Sequence, residues 1–172
     1  IARAFTFVFP SEDVLAEVER RADGRPALIF THHPMDFETS GRGLIPIDTE
    51  WLQRLRLRRI SLYSAHVPLD CHETVSTSRA LASAVGVPAQ TPFAGYHGGH
   101  AGVHGHIDPV PFEQFAERVR AACGVDHIES KRTDDRVRHV AVVADGAAYP
   151  ALMQEALDAG CDTYLTGAFR VR

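Results

Sequence analysis

One stretch, residues 27–37, decides the fold and reads ALIFTHHPMDF. Its first four residues are apolar and predict a strand buried on both faces. His32 and His33 stand where that strand ends, and Pro34 prevents a regular continuation of the strand. The sequence therefore predicts an exit from a sheet that carries two adjacent imidazoles.

Successive side chains of a strand point to opposite faces of the sheet. His32 and His33 can serve one centre only if the backbone leaves the sheet between Thr31 and Pro34. Ligands of open α/β sheets bind at the carboxyl ends of strands. The tandem histidines are therefore interpreted as a metal-binding pair. The alternative is one buried and one exposed histidine in a loop.

A second apolar strand, predicted at residues 60–65, has the same kind of exit. It delivers His66, then a proline, then the carboxylate of Asp70. Asp70 and the two tandem histidines form an N,N,O set suited to a borderline or hard divalent cation. His66 is interpreted as a residue that orients a ligand, with ligation or strand capping as alternatives. Cys71 and His72 are interpreted as structural.

Composition narrows the class of protein. The chain has 172 residues, a net charge of -4 and a hydrophobic fraction of 45%, which is typical of one globular domain or two small lobes. It has no excess of basic residues of the kind that indicates nucleic-acid binding. It also has no apolar run of the roughly 20 residues that a membrane helix needs. The three cysteines are far apart and form no C-x-x-C pair. We therefore expect free thiols and a cytoplasmic location.

Hydrophobic periodicity predicts strands and helices that alternate along the chain. A strand at 4–9 and a helix from Ser11 to Arg21 precede the strand that ends at the tandem histidines. The later predicted elements are a loop at 40–43, a helix from Asp48 with solvated arginines, helices at 74–85 and 111–123, and a strand–helix–strand unit over 140–167. This order predicts an α/β fold built from βαβ units.

Residues 95–106 read GYHGGHAGVHGH and contain four histidines. The glycines predict a flexible segment, and histidine tracts without interleaved cysteine or carboxylate are typically solvated. A second metal site in residues 97–106 is the alternative.

The chain resembles the Nif-three-like family, the GTP cyclohydrolase 1 type 2 homologues or dinuclear metal-centre proteins. Four blocks carry the resemblance: residues 27–34, 64–72, the glycine-rich stretch before Pro109, and 140–167. It implies a single α/β unit of two intertwined repeats with mixed sheets, the first over about 1–90 and the second over about 91–172, without a linker. It also implies a ring-shaped homohexamer with a two-metal centre.

In this family the tandem histidines and the carboxylate of the Pro-Leu-Asp motif are metal ligands, which correspond here to His32, His33 and Asp70. The family completes its site with a later histidine and with a glutamate four residues beyond it. This sequence has no histidine after His139, so that half of the site has no match. We expect the missing ligands to lie beyond Arg172. The alternative is a degenerate centre that binds metal poorly.

The resemblance implies a metal-dependent hydrolase with two divalent ions per subunit, which are zinc, manganese, iron or nickel. These ions would activate a water molecule for attack on a small-molecule substrate. That substrate is a purine nucleotide such as GTP by resemblance, and the residues themselves select none. The alternative is a metal-bearing regulatory or interaction protein without turnover. A third interpretation is an α/β domain with surface histidines and no site.

Overall fold

The computed structural model describes residues 1–34, 36–38 and 43–167. The chain divides into two compact units, Ile1–Pro68 and Leu69–Arg172. Helices alternate along the chain with the strands of a parallel sheet in the first unit and with the strands of a mixed sheet in the second. This confirms the predicted α/β class. The two-repeat organisation stays a prediction. The loop predicted at 40–43 lies outside the described residues except for Gly43.

The first unit is built on a three-stranded parallel sheet. Its elements are β1 (Arg3–Phe7), α1 (Glu12–Ala22), β2 (Ala27–Thr31), β3 (Asp36–Glu38), β4 (Gly43–Ile45), α2 (Thr49–Leu57) and β5 (Ile60–Ser64). The strand order is β1-β2-β5, with β2 in the centre. Since β2 and β5 are parallel neighbours, the predicted exits after both strands lie at the same edge of this sheet.

Local sequence signals set the bounds of α1. The Ser11 hydroxyl accepts a hydrogen bond from the backbone N–H of Val14 at 3.4 Å, and Asp23 ends the helix in the left-handed conformation with φ of 52°. Leu15 and Val18 are buried in the core of the first unit. The predicted βαβ unit is confirmed here, because β1 and β2 pair in parallel on either side of α1.

The central strand β2 is less covered than predicted. Ala27, Ile29 and Thr31 are buried, whereas the intervening Leu28 and Phe30 are half-buried. One face of the strand therefore packs fully into the core, and the other is covered only in part.

The arginines of α2 point away from the core, as predicted. Arg54 and Arg58 both form ion pairs with Glu19 of α1, and both arginine side chains stay substantially exposed. Surface pairs of this kind contribute at most about 1 kcal/mol each. These ion pairs agree with the interpretation of this charged face as a solvated side of the helix.

The second unit is built on a four-stranded sheet. Its elements after the short helix α3 (Val67–Asp70) are α4 (Thr77–Ala84), β6 (Thr91–Tyr96), β7 (Gly99–Pro111), α5 (Phe112–Cys123), β8 (Arg136–Val143), α6 (Pro150–Asp158) and β9 (Thr163–Thr166). The order is β6-β7-β8-β9, and only the β8–β9 pair is parallel. Val140 and Val142 of β8 pack into one core, and Ala141 and Val143 into another. This sheet therefore carries apolar layers on both faces.

The prediction that residues 95–106 form a flexible segment is wrong. It forms a β-hairpin of β6 and β7, closed by His97 and Gly98, which both have positive φ. A Cβ atom at Gly102 would fall 2.6 Å from the Phe93 ring, and one at Gly105 would fall 1.9 Å from the carbonyl oxygen of Ala89. These glycines permit close packing of backbone and side chains. Their number in the sequence does not indicate flexibility.

Candidate metal centre

The backbone leaves the first sheet directly after Thr31, as the sequence predicts. The His32 N–H donates to the carbonyl oxygen of Phe7 at 3.2 Å, and the His33 N–H donates to that of Val8 at 2.9 Å. The Ser64 hydroxyl donates to the His32 carbonyl oxygen at 2.9 Å. The two flanking strands thus hold the tandem histidines at fixed positions after β2.

Three imidazoles meet at this edge of the sheet. The ring centroid of His32 lies 4.7 Å from that of His33 and 4.6 Å from that of His66, and the His33 and His66 centroids are 4.6 Å apart. One ring nitrogen from each residue lies within 4.8 Å of the other two. We call these three residues the trihistidine cluster. All three are half-buried.

Phe9 forms one wall of the trihistidine cluster. Its ring lies parallel to that of His33, with the centroids 4.3 Å apart and an angle of 4° between the planes. A parallel aromatic ring at this distance restricts how the imidazole can turn. The rotation of His33 is therefore limited by a residue that follows the neighbouring strand β1.

His66 lies among the candidate ligands themselves, whereas the sequence favoured a role in orienting another ligand. The signal that could have identified it is topological: β2 and β5 are adjacent parallel strands, and the histidines follow their carboxyl ends. Both roles of His66 stay predictions.

Asp70, the predicted carboxylate ligand, lies at the end of α3 and belongs to the second unit. Its side chain is buried, with 5% of the residue exposed. Its membership in the ligand set stays a prediction. His72 has a local task, because its Nδ1 accepts hydrogen bonds from the N–H groups of Thr74 and Val75. That task agrees with its interpretation as structural.

The second unit contains a cluster that the sequence did not predict. His104 of β7, His139 of β8 and Cys161 just before β9 offer ligand atoms that all lie within 4.8 Å of one another. We call these residues the His–Cys cluster. Burial lowers the pKa of His104 and raises the pKa of the Cys161 thiol to about 11. No short spacing motif connects the three residues, and only the strand pairing brings them together.

Among the described residues, no helix is both long enough and apolar enough to cross a membrane.

Comparison with known sequences gives a family match over almost the whole chain. The sequence model of the Duf34/NIF3 (NGG1p interacting factor 3) family matches residues 3–172. A GTP cyclohydrolase 1 type 2 homolog of Archaeoglobus fulgidus is 29% identical over 143 residues, which is 81% of this chain and 54% of that protein. The homolog of the same name from Deinococcus radiodurans is 27% identical and covers 89% of this chain and 57% of its own length. The chain thus spans about half the length of these relatives.

Solved structures have the same fold. The protein ybgI, described as of unknown function, superimposes with a TM-score of 0.75 at 23% identity, over 98% of this chain and 64% of its own. A Bacillus cereus protein related to NIF3 gives a TM-score of 0.71 at 16% identity, over 98% of this chain and 73% of its own. At these identities the likeness establishes the fold alone.

Proposed function

Because the chain belongs to the Duf34/NIF3 family, we propose that it is a divalent-metal-binding protein and that it acts as a metal-dependent hydrolase. The observation that supports the proposal is the trihistidine cluster, in which three imidazoles meet after two adjacent parallel strands. The proposed ligands are His32, His33 and His66, with Asp70 as the predicted carboxylate.

The donor chemistry of the trihistidine cluster fits a divalent ion. Neutral imidazole nitrogens are common ligands of zinc, iron and nickel, and a carboxylate extends the range to manganese. Three half-buried rings with centroids 4.6–4.7 Å apart are close enough to share one centre. The native metal and the predicted count of two ions per subunit stay predictions.

The residues around the trihistidine cluster would hold its imidazoles in position for the reaction. The hydrogen bonds from His32 and His33 to the end of β1, together with the Phe9 stack, would hold the imidazoles before any ligand binds. The bound metal would supply a Lewis acid that activates water for hydrolysis. The names of the relatives suggest GTP, or another purine nucleotide, as the class of substrate.

We further propose that the protein forms a ring-shaped homohexamer and is cytoplasmic. A ring-shaped homohexamer follows from the resemblance noted in the sequence, and light scattering of the purified protein measures it directly. The cytoplasmic location follows from three cysteines without a paired spacing.

The test combines metal analysis with turnover. Wild-type protein, a double variant His32→Ala/Asp70→Ala and the control His127→Ala, an exposed histidine of the second unit, are loaded with Zn²⁺, Mn²⁺ or Ni²⁺ and dialysed. Bound metal is then measured by mass spectrometry, and turnover is assayed with GTP and simple phosphoesters. We expect the double variant to lose the metal held by the trihistidine cluster and all turnover, and the control to keep both.

The other outcomes are also informative. Turnover that persists in a metal-free preparation of the double variant would refute the mechanism. Metal that is retained without turnover by wild-type protein would favour the non-catalytic regulatory or interaction protein.

A further inference from the structure

The His–Cys cluster lies in the second unit and uses no residue of the proposed trihistidine site. His139 and Cys161 are 7% and 6% exposed, and His104 is half-buried. Buried cysteines more often serve as small hydrophobic residues. The arrangement around His139 makes that explanation incomplete.

The hydrogen bonds of His139 determine its tautomer. Its Nδ1 lies 3.1 Å from the carbonyl oxygen of Gly160, and since that oxygen can only accept, Nδ1 carries the hydrogen. In the neutral ring the lone pair is therefore on Nε2, which lies 2.9 Å from Nδ1 of His104. A histidine that binds a metal through one nitrogen usually donates from the other to a carbonyl or carboxylate. His139 has this arrangement.

Cys161 is held on the same side of the sheet. Its N–H donates to the Ala156 carbonyl oxygen at 3.0 Å, which fixes the backbone at the end of α6. The residue also lines a cavity of about 540 Å³ together with residues of α5, α6 and β9. Of the three cluster residues, Cys161 is the one that lines it.

We propose that His104, His139 and Cys161 bind a zinc-like divalent ion, with the fourth position left to water or to an exogenous ligand. Imidazole nitrogen and thiolate sulfur are both ordinary zinc ligands, and zinc sites with an open position have three protein ligands. Tetrahedral zinc places two nitrogen ligands about 3.3 Å apart and a nitrogen and a sulfur about 3.6 Å apart. The observed nitrogen separation of 2.9 Å and the limit of 4.8 Å for all pairs require only small side-chain shifts.

The proton balance of this binding is simple. The Cys161 thiol releases one proton to solvent as the sulfur–metal bond forms. Both imidazoles stay neutral, because the hydrogen on Nδ1 of His104 moves to the other ring nitrogen or the ring turns over. The hydrogen bond between the two histidines is replaced by two bonds to the ion.

The sulfur ligand makes this site distinguishable from the trihistidine cluster, which contains none. Co²⁺ is added to the purified full chain, and the near-ultraviolet thiolate-to-cobalt charge-transfer band is recorded. We expect the wild-type protein to show the band and Cys161→Ser to lose it. His104→Gln should weaken Co²⁺ binding by about tenfold or more. Matched controls are Cys123→Ser, an exposed thiol, and His100→Ala, an exposed histidine of the same strand β7.

A second measurement needs no variant. Zinc-edge X-ray absorption of wild-type protein should include a sulfur at about 2.3 Å from the metal. The proposal is overturned if the wild-type protein gives no charge-transfer band and no sulfur scattering, or if folded Cys161→Ser keeps the band. Loss of the band in either control would also overturn it. Circular dichroism verifies the fold of each variant.

Discussion

The Phe9 ring lies parallel to the His33 imidazole, with 4.3 Å between their centroids and 4° between their planes. This contact links the end of β1 to the exit of β2, and it involves no backbone hydrogen bond. It therefore gives a way to loosen one candidate ligand without removing it.

We expect Phe9→Leu to weaken Zn²⁺ binding at the trihistidine cluster by about twofold to tenfold, since an aromatic pair contributes about 0.5–1.5 kcal/mol beyond its buried area. Isothermal titration calorimetry measures the change. Phe7→Leu is the control, because Phe7 packs against the core of the first unit. That variant should lose stability and keep its zinc affinity, and an equal loss of affinity in both variants would contradict the positioning role of Phe9.

Thr31 precedes the tandem histidines and is 0% exposed. Within the described part of the chain, its hydroxyl oxygen has no hydrogen-bond partner. We expect Thr31→Val to leave the free energy of unfolding unchanged or to raise it by up to about 1–3 kcal/mol, because an isosteric methyl group removes an unsatisfied buried polar atom. Urea unfolding measures this, and a marked loss of stability would show that the hydroxyl has a structural task.

Two glycines of the β6–β7 hairpin should respond oppositely to alanine. At Gly105 the added Cβ would meet the Ala89 carbonyl oxygen at 1.9 Å, whereas at Gly95 nothing lies within 4 Å. We expect Gly105→Ala to lower the unfolding free energy by about 2 kcal/mol or more, and Gly95→Ala to be neutral or stabilising. Thermal melts of both variants provide the comparison. Equal melting temperatures would contradict the close packing.

The Tyr164 hydroxyl donates to the Ala147 carbonyl oxygen at 2.8 Å, and burial raises the pKa of this phenol to about 12. The stabilisation that follows from the raised pKa is complete below the unfolded value of about 10 and is lost as the pH rises through about 12. The pH titrations of wild-type protein and Tyr164→Phe are compared by their phenolate absorbance. The ionisation step that the variant lacks should lie near the folded pKa of about 12.

At neutral pH, Tyr164→Phe should cost about 0.5–1.5 kcal/mol for the lost hydrogen bond. If the ionisation step that Tyr164→Phe lacks instead lies near the unfolded pKa of about 10, the phenol is not held in this environment.

Local signals in the sequence predicted part of this fold well. The cap at Ser11 and the exit after Thr31 each depend on residues within one turn of the chain. The same holds for α5, which spans Phe112–Cys123 where the sequence predicted a helix at 111–123 and ends at Gly124 in the left-handed conformation. Such features are set by backbone geometry and require no knowledge of the tertiary structure.

The remaining features depend on contacts between distant residues. The glycines at 102 and 105 were interpreted as flexible because their neighbours, Phe93 and Ala89, lie on other segments. His104 and His139 are 35 residues apart in sequence, and the register of β7 against β8 determines their contact. Without this strand register, the sequence does not show which of its ten histidines come into contact.

The two-residue connection at His97 and Gly98 affects how the His–Cys cluster is assembled during folding. Both residues have positive φ, of 47° and 83°, which is the geometry of a type I′ turn. A hairpin closed by such a turn forms within about 1–10 μs, so the strand that carries His104 can be in place early. The strands that deliver His139 and Cys161 arrive through longer loop closures, and their docking would then set the rate at which the three ligands come together.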